Sequence, residues 1–374
     1  MTDQMPPTGS PMFAPPAGQL VPPGPGVVPP PPGAPAAPFM PSGAPIPTAA
    51  PTTAIPVALN PAQETLQRVR AEVGKAVVGQ DVAVTGLLVG LLVGGHVLLE
   101  GVPGVAKTLL VRALSASLSL ETRRVQFTPD LMPGDVTGSL IYNAQAAQFD
   151  FRAGPIFTNL LLADEINRTP PKTQAALLEA MEERQVSVDG TARMLPDPFM
   201  VIATQNPVEY EGTYPLPEAQ LDRFLLKIVM PIPPRDDEIS VLSRHAAGFD
   251  PRDLAAAGLT QAASASDLVA ARQQVARTRV DQQVLGYIVD LCRATRSAPS
   301  VSLGASPRGA TALLKTARAW AWLHGRDFVT PDDVKAMATI TLGHRIGIRT
   351  EAQMDGSNAA SILASVLATV PVPR

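Results

Sequence analysis

The sequence predicts a parallel α/β sheet flanked by helices, then an all-helical C-terminal domain, all behind a tail that cannot pack. Three observations predict it. Short strand-like apolar runs at 96–100, 123–128, 160–164, 199–204 and 224–229 are separated by segments of helical pattern, which is how a parallel sheet is connected. Beyond Pro231 the pattern turns helical, with Ser306-Pro307 and Thr330-Pro331 each pairing an N-cap with a proline at the first helical position. Residues 1–60 hold 19 of the chain's 40 prolines and a single charged side chain, Asp3.

That proline density removes backbone donors and favours extended polyproline II, so 1–58 is expected to be a disordered tail. It reads as a spacer or solubilising arm, with a docking strip for a proline-binding partner as the alternative. It lacks the basic start and continuous apolar segment of a signal peptide. The remainder divides into an α/β core at 59–231 and a helical lid at 232–374.

The core elements follow in order. Asn60-Pro61-Ala62-Gln63 reads as N-cap, proline at N1 and glutamine at N3, opening a helix with Leu66, Val69 and Val73 on one face. Val82 to Leu99 carries no Lys, Arg, Asp or Glu, but Gly86, Gly90, Gly94 and Gly95 interrupt it. It is expected to be a buried helix (about 81–93) stopped at Gly94-Gly95 and followed by the first strand, rather than a membrane span. A helix over 109–120 and a strand over 123–128 come next. Pro129–Ala153 is irregular, with a small hairpin around 140–142 and 148–151. The apolar run Leu160–Asp164 suits a central strand buried on both faces. A helix over 171–183 places Ala175, Leu178 and Met181 at helical spacing. Gln185–Val188 and Arg193–Leu195 flank Asp189-Gly190 and form a second hairpin. Lid helices are expected near 264–278, 281–297, 307–324, 331–343 and 355–369.

Two segments carry chemistry. Gly101-Val102-Pro103-Gly104-Val105-Ala106-Lys107-Thr108 lies between a strand and a helix, the arrangement of a phosphate-cradling P-loop. Glycines let backbone N–H groups surround phosphate oxygens, and the helix start at Leu109 adds a favourable dipole. Lys107 would reach the outer phosphates and the Thr108 hydroxyl would complete a Mg²⁺ shell. The usual glycine before the lysine is Ala106, which can still adopt a helical-turn conformation. The second segment, Asn159 to Glu165, ends an apolar strand in two adjacent carboxylates, at the strand end where ligands bind in open α/β sheets. Asp164 is placed to hold the metal's hydration shell, and Glu165 to orient and deprotonate a water attacking the γ-phosphate. Gln126, ending the second strand, could tune Glu165 or be a plain exposed strand residue.

Further polar punctuation lies in Ala203-Thr204-Gln205-Asn206-Pro207, in Leu221-Asp222-Arg223-Phe224, and in Gly304-Ala305-Ser306-Pro307-Arg308. Taken together, G-V-P-G-V-A-K-T, L-L-L-A-D-E-I-N-R, E-R-Q-V-S-V-D-G, A-T-Q-N-P, L-D-R-F and G-A-S-P-R resemble the AAA+ ATPases, and more narrowly the MoxR family, over about residues 75–345. The Ala106 variant is the form common in that family. The resemblance implies that Lys107 and Thr108 belong to Walker A, and Asp164 and Glu165 to Walker B. It makes Asn206 sensor 1, Arg223 an arginine finger serving a neighbouring subunit, and Arg308 sensor 2. Gly101, Pro103, Gly104, Val105, Ala106 and Leu109 would complete the nucleotide contacts, with Gln80 where the base packs. Pro129–Ala153 and Gln185–Leu195 match the helix-2 insert and pre-sensor-1 hairpin, which face the pore of the ring in this clade.

The implied function is ATP- and Mg²⁺-dependent remodelling or activation of a partner protein by a homo-oligomeric, hexameric ring. The family implies a partner carrying a von Willebrand factor A domain. A metal-chelatase motor subunit and a DNA-acting AAA+ ATPase are the alternatives. Against the latter stand a net charge of −3, a pI near 5.9 and no basic stripe, so no nucleic-acid partner is expected. The single cysteine, Cys292, excludes an internal disulfide and suits a reducing cytoplasm.

Overall fold

The computed structural model describes residues 59–207 and 212–373. The expected disordered tail, 1–58, lies outside the described residues. Helix α1 (Pro61–Ala76) opens with the expected box: Asn60 accepts from the Ala62 and Gln63 amides, and the Gln63 side chain accepts from the Asn60 amide. Helix α2 (Asp81–Val93) is buried from Ala83 to Leu92. A helix apolar all round must be covered on all sides, and glycines let the sheet come close. A Cβ on Gly86 would lie 2.3 Å from Ile228 Cδ1, and one on Gly90 would lie 2.8 Å from Val97 Cγ2. Gly94 stops α2 in the left-handed region, as expected. No helix among the described residues is long and apolar enough to cross a membrane.

Strand β1 (Val97–Glu100) leads through the glycine-rich turn to α3 (Lys107–Leu118), and β2 (Thr122–Gln126) follows. A short α4 (Pro133–Thr137) lies within the stretch expected to be irregular. The hairpin beyond it, β3 (Gly138–Asn143) with β4 (Gln148–Ala153), is longer than expected. Next come β5 (Leu160–Asp164), a 3₁₀ turn (Ile166–Arg168) and α5 (Pro171–Glu183), then the second hairpin, β6 (Gln185–Val188) with β7 (Thr191–Met194). Strand β8 (Met200–Gln205), short α6 (Glu218–Leu221) and β9 (Leu226–Val229) complete the core.

The main sheet is parallel throughout, in the order β2-β5-β8-β1-β9. Alternate residues feed opposite cores. Leu160 and Leu162 of β5, Met200 and Ile202 of β8, and Val97 and Leu99 of β1 pack towards α1, α2, α3 and the lid. Leu161, Ala163, Val201, Ala203 and Leu98 pack towards α5 and β6. Register brings Asp164 beside Gln126 and Gln205 beside Glu100, so the C-terminal strand ends share one edge.

Helix α7 (Arg235–Ala246) was not foreseen. None of its residues is buried, so it has no apolar period for the sequence to display. Helices α8 (Ala265–Arg277), α9 (Gln282–Ser297), α10 (Pro307–Leu323) and α11 (Pro331–Leu342) match the expected spans, the last two with the expected caps Ser306 and Thr330, while Ser264 and Asp281 cap the first two. Two differences appear in the lid. A small antiparallel ladder pairs β10 (Val301–Leu303) with β11 (Gly347–Ile348). The last helix, expected over 355–369, starts later as α13 (Ala359–Thr369), because Gly356 turns left-handed and Asn358 caps it in a box with Ser361, and the short α12 (Thr350–Met354) ahead of it was not foreseen.

Candidate nucleotide site

The loop after β1 is shaped by close approach and by backbone twist. A Cβ on Gly101 would lie 2.8 Å from the Met230 carbonyl oxygen, so only glycine fits. Gly104 adopts φ +89° in open space, and Ala106 adopts φ 64°, ψ 23°. Ala106 is therefore left-handed rather than in the helical-turn conformation expected of it, a strain of about 1–2 kcal/mol for a residue with a Cβ. That twist starts α3 at Lys107, two residues before the expected Leu109, leaving the first-turn amides of α3 without intrahelical partners. Lys107 Nζ donates to the Gly101 carbonyl at 2.5 Å and reaches the Gln205 carbonyl at 3.5 Å.

Asp164, at the end of β5, is buried, and both of its oxygens accept hydrogen bonds. Its Oδ1 accepts from Thr204 Oγ1 at 2.5 Å, and its Oδ2 accepts from Arg124 Nε at 3.0 Å and Nη2 at 2.7 Å. Glu165 leaves the strand in the left-handed region, φ 58°, with its amide donating to Thr204 Oγ1 at 2.9 Å. Thr204 thus fixes both acidic residues from the neighbouring strand. Glu165 Oε2 accepts from Gln126 Nε2 at 2.5 Å and pairs with Arg168 Nε at 3.1 Å. Gln126 is therefore bonded to Glu165 and is not a bystander on the edge strand. Arg124 Nη2 also donates to Gln126 Oε1 at 2.8 Å, linking the two carboxylates through one chain.

A cavity of about 770 Å³ gathers Gln80, Pro103, Gly104, Val105, Ala106, Lys107, Thr108, Leu109, Asp164, Glu165 and Asn206. Gly101 lies beneath the loop rather than in the wall. The cavity fits a nucleotide with its metal. The volume is in the range of ligand pockets, the ammonium and helix-start amides suit phosphate, and a hydroxyl with a carboxylate are hard oxygen donors for Mg²⁺. Val77, Val78, Leu242 and Phe249 offer an apolar wall for a base. Gln80 is buried and donates to the Pro231 carbonyl at 3.1 Å, joining the α2 start to the chain entering α7.

The two predicted arginines are placed elsewhere and together. Arg223 Nη2 lies 3.3 Å from Glu182 Oε2, and Arg308 Nη1 lies 3.3 Å from Glu182 Oε1. Arg308 Nε is also 3.6 Å from Asp222 Oδ2. Neither arginine lines the cavity. Both are partly exposed, which suits a role at a surface where another molecule docks.

Sequence reasoning missed Arg124 and Arg168, and it missed the wall supplied by α7. That helix is held over the cavity by Arg244, whose Nη1 donates to the Gly74 and Lys75 carbonyls at 3.1 and 2.6 Å. Arg168 stood in the quoted L-L-L-A-D-E-I-N-R string, but only its three-residue spacing from Glu165 hinted at a pairing. Nothing in the sequence singles out Arg124 or Arg244.

Residues 96–226 match the model of the ATPase family associated with various cellular activities, and residues 293–366 match the AAA lid domain. The chain is 50% identical over 304 residues to YeaC, an uncharacterised protein of Bacillus subtilis, covering 81% of this chain and 92% of that one. It is 43% identical over 319 residues to the chaperone MoxR1 of Mycobacterium tuberculosis, covering 83% of each. A crystal structure of a candidate ATPase from Cytophaga hutchinsonii superposes with a TM-score of 0.76 at 40% identity, over 84% of this chain and 96% of that one. With the loop, the paired carboxylates and the lid in place, the chain belongs to the MoxR family of AAA+ ATPases.

Proposed function

We propose that this protein hydrolyses ATP to ADP and phosphate and uses the cycle to remodel or activate a partner protein, working as a hexameric ring in the cytoplasm. The observation that carries this reading is the convergence of Lys107, Thr108, Asp164, Glu165 and Asn206 on one cavity. Lys107 neutralises charge on the outer phosphates, and the loop and helix-start amides hold their oxygens. Thr108 and Asp164 hold Mg²⁺, which when bound supplies charge neutralisation at the transferring phosphoryl group. Glu165 takes the proton of the attacking water, and the Asn206 amide orients that water. Gln126 and Arg168 set the position of the Glu165 carboxylate.

Arg223 and Arg308 serve the nucleotide of a neighbouring subunit. Their distance from their own chain's cavity and their exposure beside Glu182 support that reading. The β3–β4 hairpin exposes Ile141, Tyr142 and Phe149, an apolar surface suited to gripping a polypeptide in the ring's pore. The family points to a partner with a von Willebrand factor A domain. Cys292 is a buried free thiol, in keeping with a reducing compartment.

Replacing Glu165 by Gln tests the core of this. The variant is expected to bind Mg²⁺ and ATP as the parent does, while turnover falls on the order of 10²-fold or more. Undiminished hydrolysis would remove Glu165 as the base. The same variant, locked with ATP bound, should retain the partner protein on affinity purification.

A further inference from the structure

The lid reaches the arginine-bearing segment of the core through a buried arginine that the nucleotide site does not use. Arg345 follows α11 in a 3₁₀ turn and its side chain is only 4% exposed. Four of the five hydrogen bonds of its guanidinium fall on one short stretch. Nε donates to Asp222 Oδ1 at 2.6 Å, Nη2 to the Phe224 carbonyl at 2.7 Å and the Asp222 carbonyl at 3.3 Å, and Nη1 to the Leu225 carbonyl at 3.1 Å and to the Thr341 carbonyl. His344 Nε2 adds a second donor to the Phe224 carbonyl at 3.0 Å. The stretch thus clamped, 222–225, contains Arg223 and no regular secondary structure. It is the connection between short α6 and β9.

The clamp continues outwards as an alternating chain of charges. Asp222 gives Oδ1 to Arg345 and faces Arg308 with Oδ2, Arg308 pairs with Glu182, and Glu182 pairs with Arg223. Two lid arginines, Arg345 and Arg308, are joined in it to the core residues Asp222 and Glu182, and it ends on Arg223. A buried guanidinium is costly unless its donors are satisfied, and here most of them are used on residues 222–225, around the partly exposed Arg223. A rigid fork of donors suits this task, whereas a lysine offers a single point charge.

We propose that Arg345 is the positioning residue of Arg223, fixing the 222–225 backbone so that lid and arginine finger move as one body. This rests on the reading that Arg223 acts on a neighbouring subunit's nucleotide. Coupling of this kind would let a lid rotation in one protomer engage or withdraw the arginine at the next site.

The test is complementation between inactive subunits. Arg345→Met is expected to bind Mg²⁺ and ATP within a few-fold of the parent, with kcat lowered by on the order of 10²-fold and KM little changed. Mixed with Glu165→Gln subunits under conditions of protomer exchange, it should regain activity, because a mixed interface joins an intact Glu165 to an intact finger. Mixed with Arg223→Ala it should not, because both lesions lie on the same side of the interface. The double variant Arg223→Ala/Arg345→Met should be no slower than the slower single variant. Recovery with Arg223→Ala, multiplying losses in the double variant, or parent-like turnover of Arg345→Met would each overturn the inference. A subunit that is merely misfolded complements neither partner, which also counts against it. If Arg345→Met does not fold, the same crosses are run with Asp222→Asn, whose partly exposed side chain can be changed with less cost and carries the same expectations. Parent-like turnover in Arg223→Ala alone would remove the finger assignment and this inference with it, whereas the other adverse results leave that assignment standing.

Discussion

Lowering the pH from about 7.5 to 5 should cost this protein about 4 kcal/mol of folding stability through two buried histidines. His96 sits between β1 and the opposite face, with Nδ1 accepting from the Val201 amide at 2.9 Å and Nε2 donating to the Met181 carbonyl at 3.0 Å. Burial lowers its pKa from 6.5 to about 4, helped by the Arg184 charge and opposed by the Met181 bond. His344 is pushed from 6.5 to about 3, chiefly by burial, then by Arg345 beside it and Lys227 further off, against the Phe224 bond. Both rings are neutral in the folded protein and accept protons only when unfolded. The stability they allow is complete above pH 6.5 and declines as pH falls towards the folded values. At pH 5 each unfolded ring is almost fully protonated while each folded ring is not, which is about 2 kcal/mol per histidine. Urea unfolding at the two pH values reads the difference, and titration of the ring protons by NMR reads the cause. An unchanged unfolding midpoint, or a folded His96 that titrates near 6.5, would refute the reasoning.

Other outcomes follow from the loop. Lys107→Ala should weaken ATP binding by about a hundredfold or more, since a charge-assisted contact to phosphate is lost; calorimetry giving the parent's affinity would remove Lys107 from the site. Ala106→Gly should relieve the left-handed strain, less glycine's greater unfolded-state freedom, for a net gain of up to about 1 kcal/mol in urea unfolding. A marked loss would mean that the methyl group packs productively. Gly101→Ala should cost about 1–3 kcal/mol and impair ATP binding, because its Cβ would press on the Met230 carbonyl. Parent-like stability with unaltered binding would show that the strand end can yield.

The nucleotide site was legible early because its chemistry is local. A glycine-rich turn between a strand and a helix, and an apolar strand ending in Asp164-Glu165, each satisfy a physical requirement within a few residues. The buried helix at 81–93 was legible for the same reason, since an uncharged run after Asp81 with a Gly94 stop has few other solutions. Helix α7 escaped because none of its residues is buried, and a helix with no buried face leaves no period to read. The two-strand ladder of β10 and β11 escaped because its strands are short and far apart in sequence.

What the sequence by itself determined was the five strands of the main sheet, most of the helices and their order, together with candidate residues for a triphosphate and a metal. Those follow from hydrophobic period, caps and turn chemistry, which act over a few positions along the chain. Tertiary structure decided the partners, and of those named below only Gln126 with Glu165 was among the alternatives the sequence offered. Asp164 meets Arg124 and Glu165 meets Gln126 because β2 lies beside β5 in register, and Arg345 meets Asp222 because the lid folds back on the core. Such pairings join residues distant in sequence. They are set by the packing of whole elements, and a charged side chain shows in its own sequence neighbourhood no sign of which distant carboxylate it will face.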